Sequence, residues 1–332
     1  MNSIKHLLLP LLAASALIAC TATQTEQNEQ ADTTPVVYFT SQITPESLVS
    51  IYDALGVTIP ENARVAIKIS TGESQQTNHL RPDFIAPLVN HVNGRLVECN
   101  TAYGGNRATT EDHLKAIEQR GYVNVDIMDA EDTIHLPVTD TKWIKYDIVG
   151  SHLANYDFMI NLAHFKGHVM GGFGGVLKNQ SIGVASSAGK AYIHSAGVTD
   201  DVVECWKHTA NQDGFLESMA AAAQAVHNYF KQDGRNIVYI NVMNNMSIDC
   251  DCNAHPAAPV LKDMGILAST DPVALDKACL DLVFGHESVS GDDADPLIER
   301  IKSKHGTHIV EYAEQLGLGS TTYQLINLDE TK

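Results

Sequence analysis

Three ionisable side chains that could do chemistry lie in and just after one glycine-rich stretch, AHFKGHVMGGFGGVLKNQSIG, at residues 163–183. They are His168 and Lys178 inside the stretch and His194 beyond it. A lysine in apolar surroundings is desolvated, which lowers the pKa of its amine and makes the amine nucleophilic. Histidine changes protonation near neutral pH and serves as acid, base or metal ligand. Together with Lys190 these residues fall within 27 positions, and the stretch therefore predicts a site.

The glycines of this stretch predict a close approach of the backbone to a ligand, because glycine is kept where the chain turns sharply or comes near another group. Two phosphate-loop patterns do not fit, since Leu177 occupies the last glycine position of G-x-G-x-x-G and no P-loop sequence is present. Two alternatives remain: an anion at the N-terminus of a helix that starts near Gly174, or tight packing of strand against helix. The ligand contacts expected in the first alternative are Gly172, Gly174, Gly175 and Asn179.

Two other patterns offer metal ligands. His164 and His168 are four residues apart, which on a helix would place them on one face, although the glycine between them disfavours a helix. The sequence DCDCNAH at 249–255 holds Cys250, Asp251 and Cys252, which could bind a soft or borderline metal. A disulfide or a structural turn is the alternative for this second pattern.

Two arginines follow predicted strands in comparable positions. Arg81 lies in NHLRP at 78–82 and Arg107 in NTAYGGNRATT at 100–110, and each segment precedes a predicted helix. Loops of this kind meet at one edge of a parallel sheet, where guanidinium groups bind carboxylate or phosphate. We therefore expect an anion site at that edge.

The elements that must position these groups alternate between strand and helix signals. A helix is expected after Thr44, a capping residue before a proline. Another is expected with Pro272 in its first turn and with Thr270 or Asp271 as its cap. The alternation predicts an α/β fold with mostly parallel sheets flanked by helices. We expect two lobes, an N-terminal one at 36–155 and a C-terminal one at 156–330, with a ligand cleft between them.

The charge balance and the N-terminus restrict the partners and the location. A formal net charge of −18 without a basic cluster excludes a nucleic-acid partner. Residues 1–19 carry a lysine and then a short apolar run, as in a signal peptide, and LIAC at 17–20 resembles a bacterial lipobox. We expect Cys20 to be lipidated, residues 20–35 to form a flexible tether, and the lipid anchor to be the sole membrane contact. Thr21 favours the outer over the inner membrane of a bacterial cell envelope.

Four segments together resemble a known family. They are similar to the bacterial and archaeal domain-of-unknown-function family often labelled uncharacterised iron-sulfur centre proteins. The segments are HFKGHVMGGFGGVLKNQSIG, GKAYIH, MSIDCDCNAH and DMGILASTDPVALDKACLDLV. The resemblance covers most of 36–285. Members so labelled carry a ferredoxin-like cysteine insert after the segment that matches GKAYIHS, where this chain has DVVECWKHTANQDG with a single cysteine. The resemblance therefore implies no iron–sulfur cluster here.

A more remote resemblance is to the nickel-pincer lactate racemase family. That family has a histidine, a lysine ten residues later and a histidine sixteen further on, and His168, Lys178 and His194 reproduce this spacing. The resemblance implies an acid/base role for the first, attachment of a pincer-type nickel nucleotide to the second and nickel binding by the third. NHLRP and YGGNRATT resemble the family's phosphate-binding and second acid/base loops, with departures at Asn78 and Asn106.

The sequence as a whole predicts a lipid-anchored envelope protein with a site for a small anionic ligand or cofactor. The chemistry would resemble that of a racemase or an oxidoreductase, with Arg81, Asn106 and Arg107 orienting anionic groups. The cofactor would be a metal ion or a pincer-type nickel nucleotide. The alternative is a non-catalytic lipoprotein that binds a solute or a metal ion, with Cys250, Asp251 and Cys252 as ligands in place of His194.

Overall fold

An eight-stranded sheet runs through the part of the chain that the computed structural model describes, residues 34–330. The predicted signal peptide, Cys20 and nearly all of the tether lie outside these residues. The strands of the sheet are β1 (Val36–Thr40), β2 (Val65–Lys68), β3 (Arg95–Glu98), β4 (Asp126–Ile127), β7 (Phe158–His164), β10 (Asn236–Met243), β11 (Gly265–Ser269) and β12 (Gln324–Asn327). Two strand pairs stand apart from it, β5 (Thr133–Pro137) with β6 (Tyr146–Gly150) and β8 (Lys166–His168) with β9 (Gly172–Gly174).

The sheet is covered by helices. They are α1 (Pro45–Ala54), α2 (Pro82–His91), α3 (Thr110–Gln119), α4 (Val176–Ser181), α5 (Ser187–His194), α6 (Gln212–Phe230), α7 (Pro272–Phe284), α8 (Asp295–Ser303) and α9 (His308–Gln315). Short 3-10 helices cover Ser151–Asn155, Glu204–Lys207 and Leu328–Glu330. Within residues 34–330, none of the helices combines the length and the apolar character needed to cross a membrane.

The predicted α/β class is confirmed, and both predicted lobes share one sheet. The strand order is β12-β1-β11-β10-β7-β2-β3-β4, and β11 alone runs antiparallel to its neighbours. β2, from the first expected lobe, pairs directly with β7, from the second, so that Ile67 lies opposite Ile160. The boundary expected near residue 155 therefore falls between hydrogen-bonded strands of a single sheet, and the cleft cannot lie between two sheets.

Apolar side chains on the two faces of the sheet explain why helices cover both. Along β7, Ile160 and Leu162 belong to one buried cluster, whereas Met159 and Ala163 belong to the other. Successive strand residues point to opposite faces, so a strand buried on both sides must be apolar at nearly every position. β7 is buried throughout and so lies at the centre of the fold.

Local capping fixes the starts of several helices. Thr44 accepts a hydrogen bond from the backbone of Ser47 at 3.1 Å, which starts α1 as predicted. Asp271 accepts hydrogen bonds from the backbone of Val273 and Ala274, each at 2.9 Å, and starts α7. Both helices have a proline in the first turn, where its missing N–H is not needed.

The short helix α4, which carries Lys178, is held by a buried carboxylate from α7. Asp276 is fully buried and accepts hydrogen bonds from the backbone of Val176 at 2.9 Å and of Leu177 at 3.0 Å. The amide of Asn241 on β10 donates a third at 2.7 Å. The protein's own carboxylate thus occupies the helix N-terminus where an anionic ligand was one expectation, and a side chain on Gly175 would overlap it.

We expect Asp276→Ala to lower the free energy of unfolding by about 3 kcal/mol, because it leaves buried N–H groups of α4 without an acceptor. Denaturant unfolding measures the loss. Asp281→Ala is the matched control, since Asp281 lies on the same helix with exposed partners and should change stability by less than about 1 kcal/mol. Equal losses in the two variants would contradict this role for Asp276.

Candidate functional site

A cavity of about 250 Å³ lies at the carboxyl ends of β2, β3 and β7. The last residues of these strands, Lys68, Glu98 and His164, are in its wall. Ligands of open α/β sheets bind at this edge, because the loops that follow parallel strands meet there. Two further pieces of the wall come from the glycine-rich stretch and from the segment around Asp251.

Cations dominate the charged groups of the wall. Five basic side chains line the cavity: Lys68, Lys166, Lys178, Lys190 and Arg107. Two carboxylates, those of Glu98 and Asp251, line it as well.

The first carboxylate neutralises the cations on the β2–β3 side. Glu98 accepts hydrogen bonds from Lys68 Nζ at 2.9 Å and from Arg107 at 3.3 Å. Burial alone would raise the pKa of Glu98, but these two cations lower it to about 2. Arg107 also binds Glu73 at 2.9 Å, so its guanidinium is already held by two carboxylates. The expected anion ligand Arg107 reaches the cavity but has little free capacity to bind an anion.

The second carboxylate is fixed on the other side of the cavity. Asp251 accepts from His164 Nδ1 at 3.0 Å and from Lys166 Nζ at 3.1 Å. Although burial disfavours its charge, Lys166 and His164 hold the pKa of the Asp251 carboxyl far below its usual range. His164 is engaged at its other nitrogen by the Asn244 carbonyl at 2.6 Å. His164 therefore orients Asp251.

Lys178 differs from the other cations because none of the residues in 34–330 forms a hydrogen bond with its amine. Burial, and after it the neighbouring charges of Lys166 and Lys68, lower the pKa of Lys178 to about 7. Lys190, by contrast, donates to the Ala185 carbonyl at 2.5 Å, and burial lowers its pKa as well. At neutral pH about half of the Lys178 amines are therefore uncharged, which is the state that reacts as a nucleophile.

The two remaining histidines present opposite hydrogen-bonding groups. His168 Nδ1 accepts from the backbone of Gly171 at 2.8 Å and of Met170 at 3.2 Å, so the ring proton must be on Nε2. His194 Nδ1 faces the Lys190 carbonyl at 2.8 Å and must donate, which leaves a lone pair on Nε2. Burial holds the pKa of His168 well below its usual range and lowers that of His194 to about 4. Both rings are thus neutral at pH 7, one a donor and the other an acceptor.

Some of the predicted site residues lie elsewhere. Arg81 and Asn106 are exposed and outside the cavity wall, where Arg81 donates to the Thr77 carbonyl at 3.0 Å. Gly172 packs against Gly306, in the turn that follows α8, and against Ile301 of α8. Gly174, Gly175 and Asn179 do line the cavity.

The Asn179 side chain forms hydrogen bonds mainly to other residues of the protein. Its amide donates to Asn161 at 2.7 Å and to the Lys68 carbonyl at 3.1 Å, and its oxygen accepts from Lys68 Nζ at 3.2 Å. It therefore ties α4 to β2 and β7 and orients the Lys68 amine.

The two metal patterns take other forms in the structure. His164 and His168 end two strands, β7 and β8, and do not share a helix face. Cys250 and Cys252 form a disulfide, so their sulfurs are bonded to each other and cannot act as free thiolate ligands. A ring nitrogen of His168 and the two sulfurs lie within 4.8 Å of one another in the cavity wall.

Sequence reasoning missed Lys68, Glu98 and Lys166. The first two are charged residues at the ends of buried runs, VAIK and RLVE, and a charge in that position is a usable signal for a sheet-edge site. Lys166 gave no such signal, because it stands among other polar residues of the glycine-rich stretch.

The sequence matches the family described as "Domain of unknown function (DUF362)" over residues 65–281, which is more than half of the chain. The chain belongs to DUF362. The resemblance seen in the sequence is thereby confirmed, and the cavity residues from Lys68 to Cys252 all fall inside the DUF362 match. The curated proteins contain no match to this DUF362 chain.

Two solved structures are similar to this DUF362 protein at a low level. One is the lactate racemase apoprotein from Thermoanaerobacterium thermosaccharolyticum, with 16% identity, 62% of this chain and 50% of that chain covered, and a TM-score of 0.33. The other is a protein from Thermotoga maritima, with 12% identity, 82% and 58% coverage, and a TM-score of 0.39. The chain thus spans only half to somewhat over half of these proteins, and scores this low assign no activity to it.

We expect competitive acetylation to label Lys178 with a half-maximal rate near pH 7, about three units below an ordinary lysine, because its uncharged form is populated there. Peptide mass spectrometry over a pH series measures the rate. Lys262, whose side chain is 72% exposed, is the internal reference. If the two lysines follow the same pH profile, the Lys178 amine is not desolvated as described.

Proposed function

We propose that this DUF362 protein binds a small anionic molecule in the cavity. The observation that carries the proposal is the excess of cations, five basic side chains against two carboxylates in the wall. The chain as a whole is strongly acidic, with a formal net charge of −18, so this concentration of positive charge is local. Cationic groups in a poorly solvated cleft attract anions more strongly than the same groups on an open surface.

The geometry also supports proton transfer to or from a bound ligand. His168 presents an N–H and His194 a lone pair, each fixed by its backbone partner. Lys178 supplies an amine whose pKa of about 7 suits both acid/base work and nucleophilic attack. Racemase-like or oxidoreductase-like chemistry on a small carboxylate is therefore our proposal for the reaction class, and binding without catalysis is the alternative.

A pincer-type nickel nucleotide fits only part of this site. Lys178 would attach it, and His194 Nε2 would offer a nickel ligand, with its ring oriented by the Lys190 carbonyl. The loop expected to bind its phosphate, NHLRP, does not line the cavity, and its Arg81 is exposed. Of the second loop, YGGNRATT, Tyr103 and Arg107 line the cavity, whereas Asn106 is exposed outside the wall. The residues present therefore do not complete a site for the nucleotide.

A location in the bacterial cell envelope, with Cys20 lipidated, remains part of the proposal. It rests on the signal-like residues 1–19 and the lipobox-like LIAC. The disulfide between Cys250 and Cys252 supports it, since disulfides persist in oxidising compartments. The outer membrane is our proposed site of attachment.

Isothermal titration of the full chain with sulfate tests the anion site, because sulfate keeps its charge between about pH 6 and pH 8.5. We expect Lys178→Met to weaken sulfate binding roughly tenfold at the lower pH, where Lys178 is charged. At the higher pH the wild type should approach the variant, since Lys178 has lost its proton.

Lys277→Met is the matched control, because Lys277 lies on α7 outside the cavity and pairs with Asp281. It should bind sulfate as the wild type does. The anion site would be refuted if the wild type bound neither sulfate nor malonate. It would also be refuted if Lys178→Met left the sulfate affinity unchanged at both pH values.

A further inference from the structure

The disulfide between Cys250 and Cys252 forms part of the cavity wall, and anion binding alone gives it no role. Cys252 is half-buried, whereas Cys250 is 4% exposed. Within residues 34–330 the other cysteines are buried free thiols, Cys99, Cys205 and Cys279. Cys99 also lines the cavity, but it is 1% exposed and its thiol donates to the Val184 carbonyl at 3.2 Å. Among the cysteines in the cavity wall, Cys252 of the disulfide is therefore the most accessible.

The disulfide is held in place by the residue between its two cysteines. The Asp251 carboxylate is fixed by His164 and Lys166, at 3.0 and 3.1 Å. The Asp251 carbonyl accepts a hydrogen bond from the backbone of Glu73 at 2.7 Å. Side chain and backbone of the central residue are thus both anchored to the framework, so the sulfurs keep their place whether or not they are bonded to each other.

The surroundings of the disulfide suit a thiolate leaving group. The Cys250 sulfur accepts a hydrogen bond from the backbone of Cys252 at 3.2 Å. The His168 ring, which has its proton on Nε2, lies within 4.8 Å of both sulfurs. Lys166, which pairs with Asp251, and Lys178, which is partly protonated at neutral pH, lie in the same wall. Hydrogen-bond donors and cations stabilise a thiolate, and a stabilised thiolate leaves faster.

We propose that the Cys250–Cys252 disulfide undergoes thiol–disulfide exchange with small anionic thiols that enter the cavity. The exchange follows from the placement of the disulfide, while the preference for an anionic thiol rests on the proposed anion site. A cavity of about 250 Å³ admits a small molecule and excludes a folded protein. The substrate class is accordingly a low-molecular-weight thiol that carries a carboxylate or a sulfonate.

The exchange balances without any further reactant. A thiolate attacks the more accessible Cys252 sulfur, a new S–S bond forms, and the Cys250–Cys252 bond breaks with its electron pair on Cys250. A second thiolate then attacks the small-molecule sulfur of this mixed disulfide and releases Cys252 as a thiolate. Two small thiols are oxidised to one disulfide, the protein disulfide is reduced, and the two protons of the thiols end on the cysteine sulfurs. A small disulfide drives the reverse reaction.

Three thiols of similar size and different charge test the proposal on the native full chain. They are 2-mercaptoethanesulfonate, 2-mercaptoethanol and cysteamine. The rate at which the peptide with Cys250 and Cys252 becomes alkylated by iodoacetamide is measured by mass spectrometry. Each rate is divided by the rate of the same thiol with bis(2-hydroxyethyl) disulfide, which removes differences in intrinsic reactivity.

We expect the normalised rate to be at least about tenfold higher for the sulfonate than for cysteamine. Lys178→Met should reduce that ratio several-fold, and Lys277→Met, outside the cavity, should keep it. The double variant Cys250→Ser with Cys252→Ser should stay folded by near-UV circular dichroism, because the exchange is a reaction of these sulfurs and not a fold requirement.

The possible results distinguish a failure of the exchange from a failure of the anion site. A disulfide that resists all three thiols in the native chain but is reduced in denaturant overturns the exchange, whatever the sulfate titration shows. Fast reduction with equal normalised rates supports the exchange and overturns the preference for anionic thiols. A double variant that unfolds overturns the reactive role, because the disulfide is then a structural link.

Discussion

Burial of positive charge at one edge of the sheet is the constraint on which this structure depends. Lys68 ends a strand that is buried at every position, and an ammonium there is tolerated only if it is paired and hydrogen-bonded. Glu98 at the end of the adjacent strand supplies that pair, and its carboxylate also accepts from the backbone of Thr71 and Cys99, each at 3.1 Å. Removing either charge would leave the other uncompensated in the interior. The ends of β2 and β3 and the cavity wall that they form therefore depend on the same ion pair.

Lys178 differs from the paired lysines of the cavity wall. Its neighbours Lys68 and Lys166 have carboxylate partners, whereas its own amine has none in the described chain. The unfolded chain holds the Lys178 proton more readily than the folded one, so this residue makes the fold gain stability as the pH rises from about 7 toward 10. A destabilised group retained inside a cleft is typical of functional sites, where stability and activity are in conflict.

The sequence predicted what depends on local signals. The caps Thr44 and Asp271 and the strand–helix alternation could be read directly, because capping and hydrophobic periodicity act over a few residues. The joining of both expected lobes in one sheet was not predicted, because β2 and β7 are far apart in the chain and their pairing has no local signature. For the same reason the cavity wall was only partly foreseen: His168, Lys178 and His194 are near neighbours in sequence, while Lys68 and Asp251 reach the site through the topology. Arg81 lies in a loop of the expected kind, but it is exposed and not part of the cavity wall.

The position of β1 has a consequence for the order in which the chain folds. This first strand lies between β11 and β12, and Val37 is paired with Ser269 on one side and Leu325 on the other. Such pairings are the most distant in sequence that the fold contains among its strands, and distant contacts form slowly. During synthesis β2, β3 and β7 could associate early, but the strand nearest the N-terminus has no sheet partner until the last part of the chain is available. With this topology the sheet is completed only when residues 324–327 are available to pair with β1.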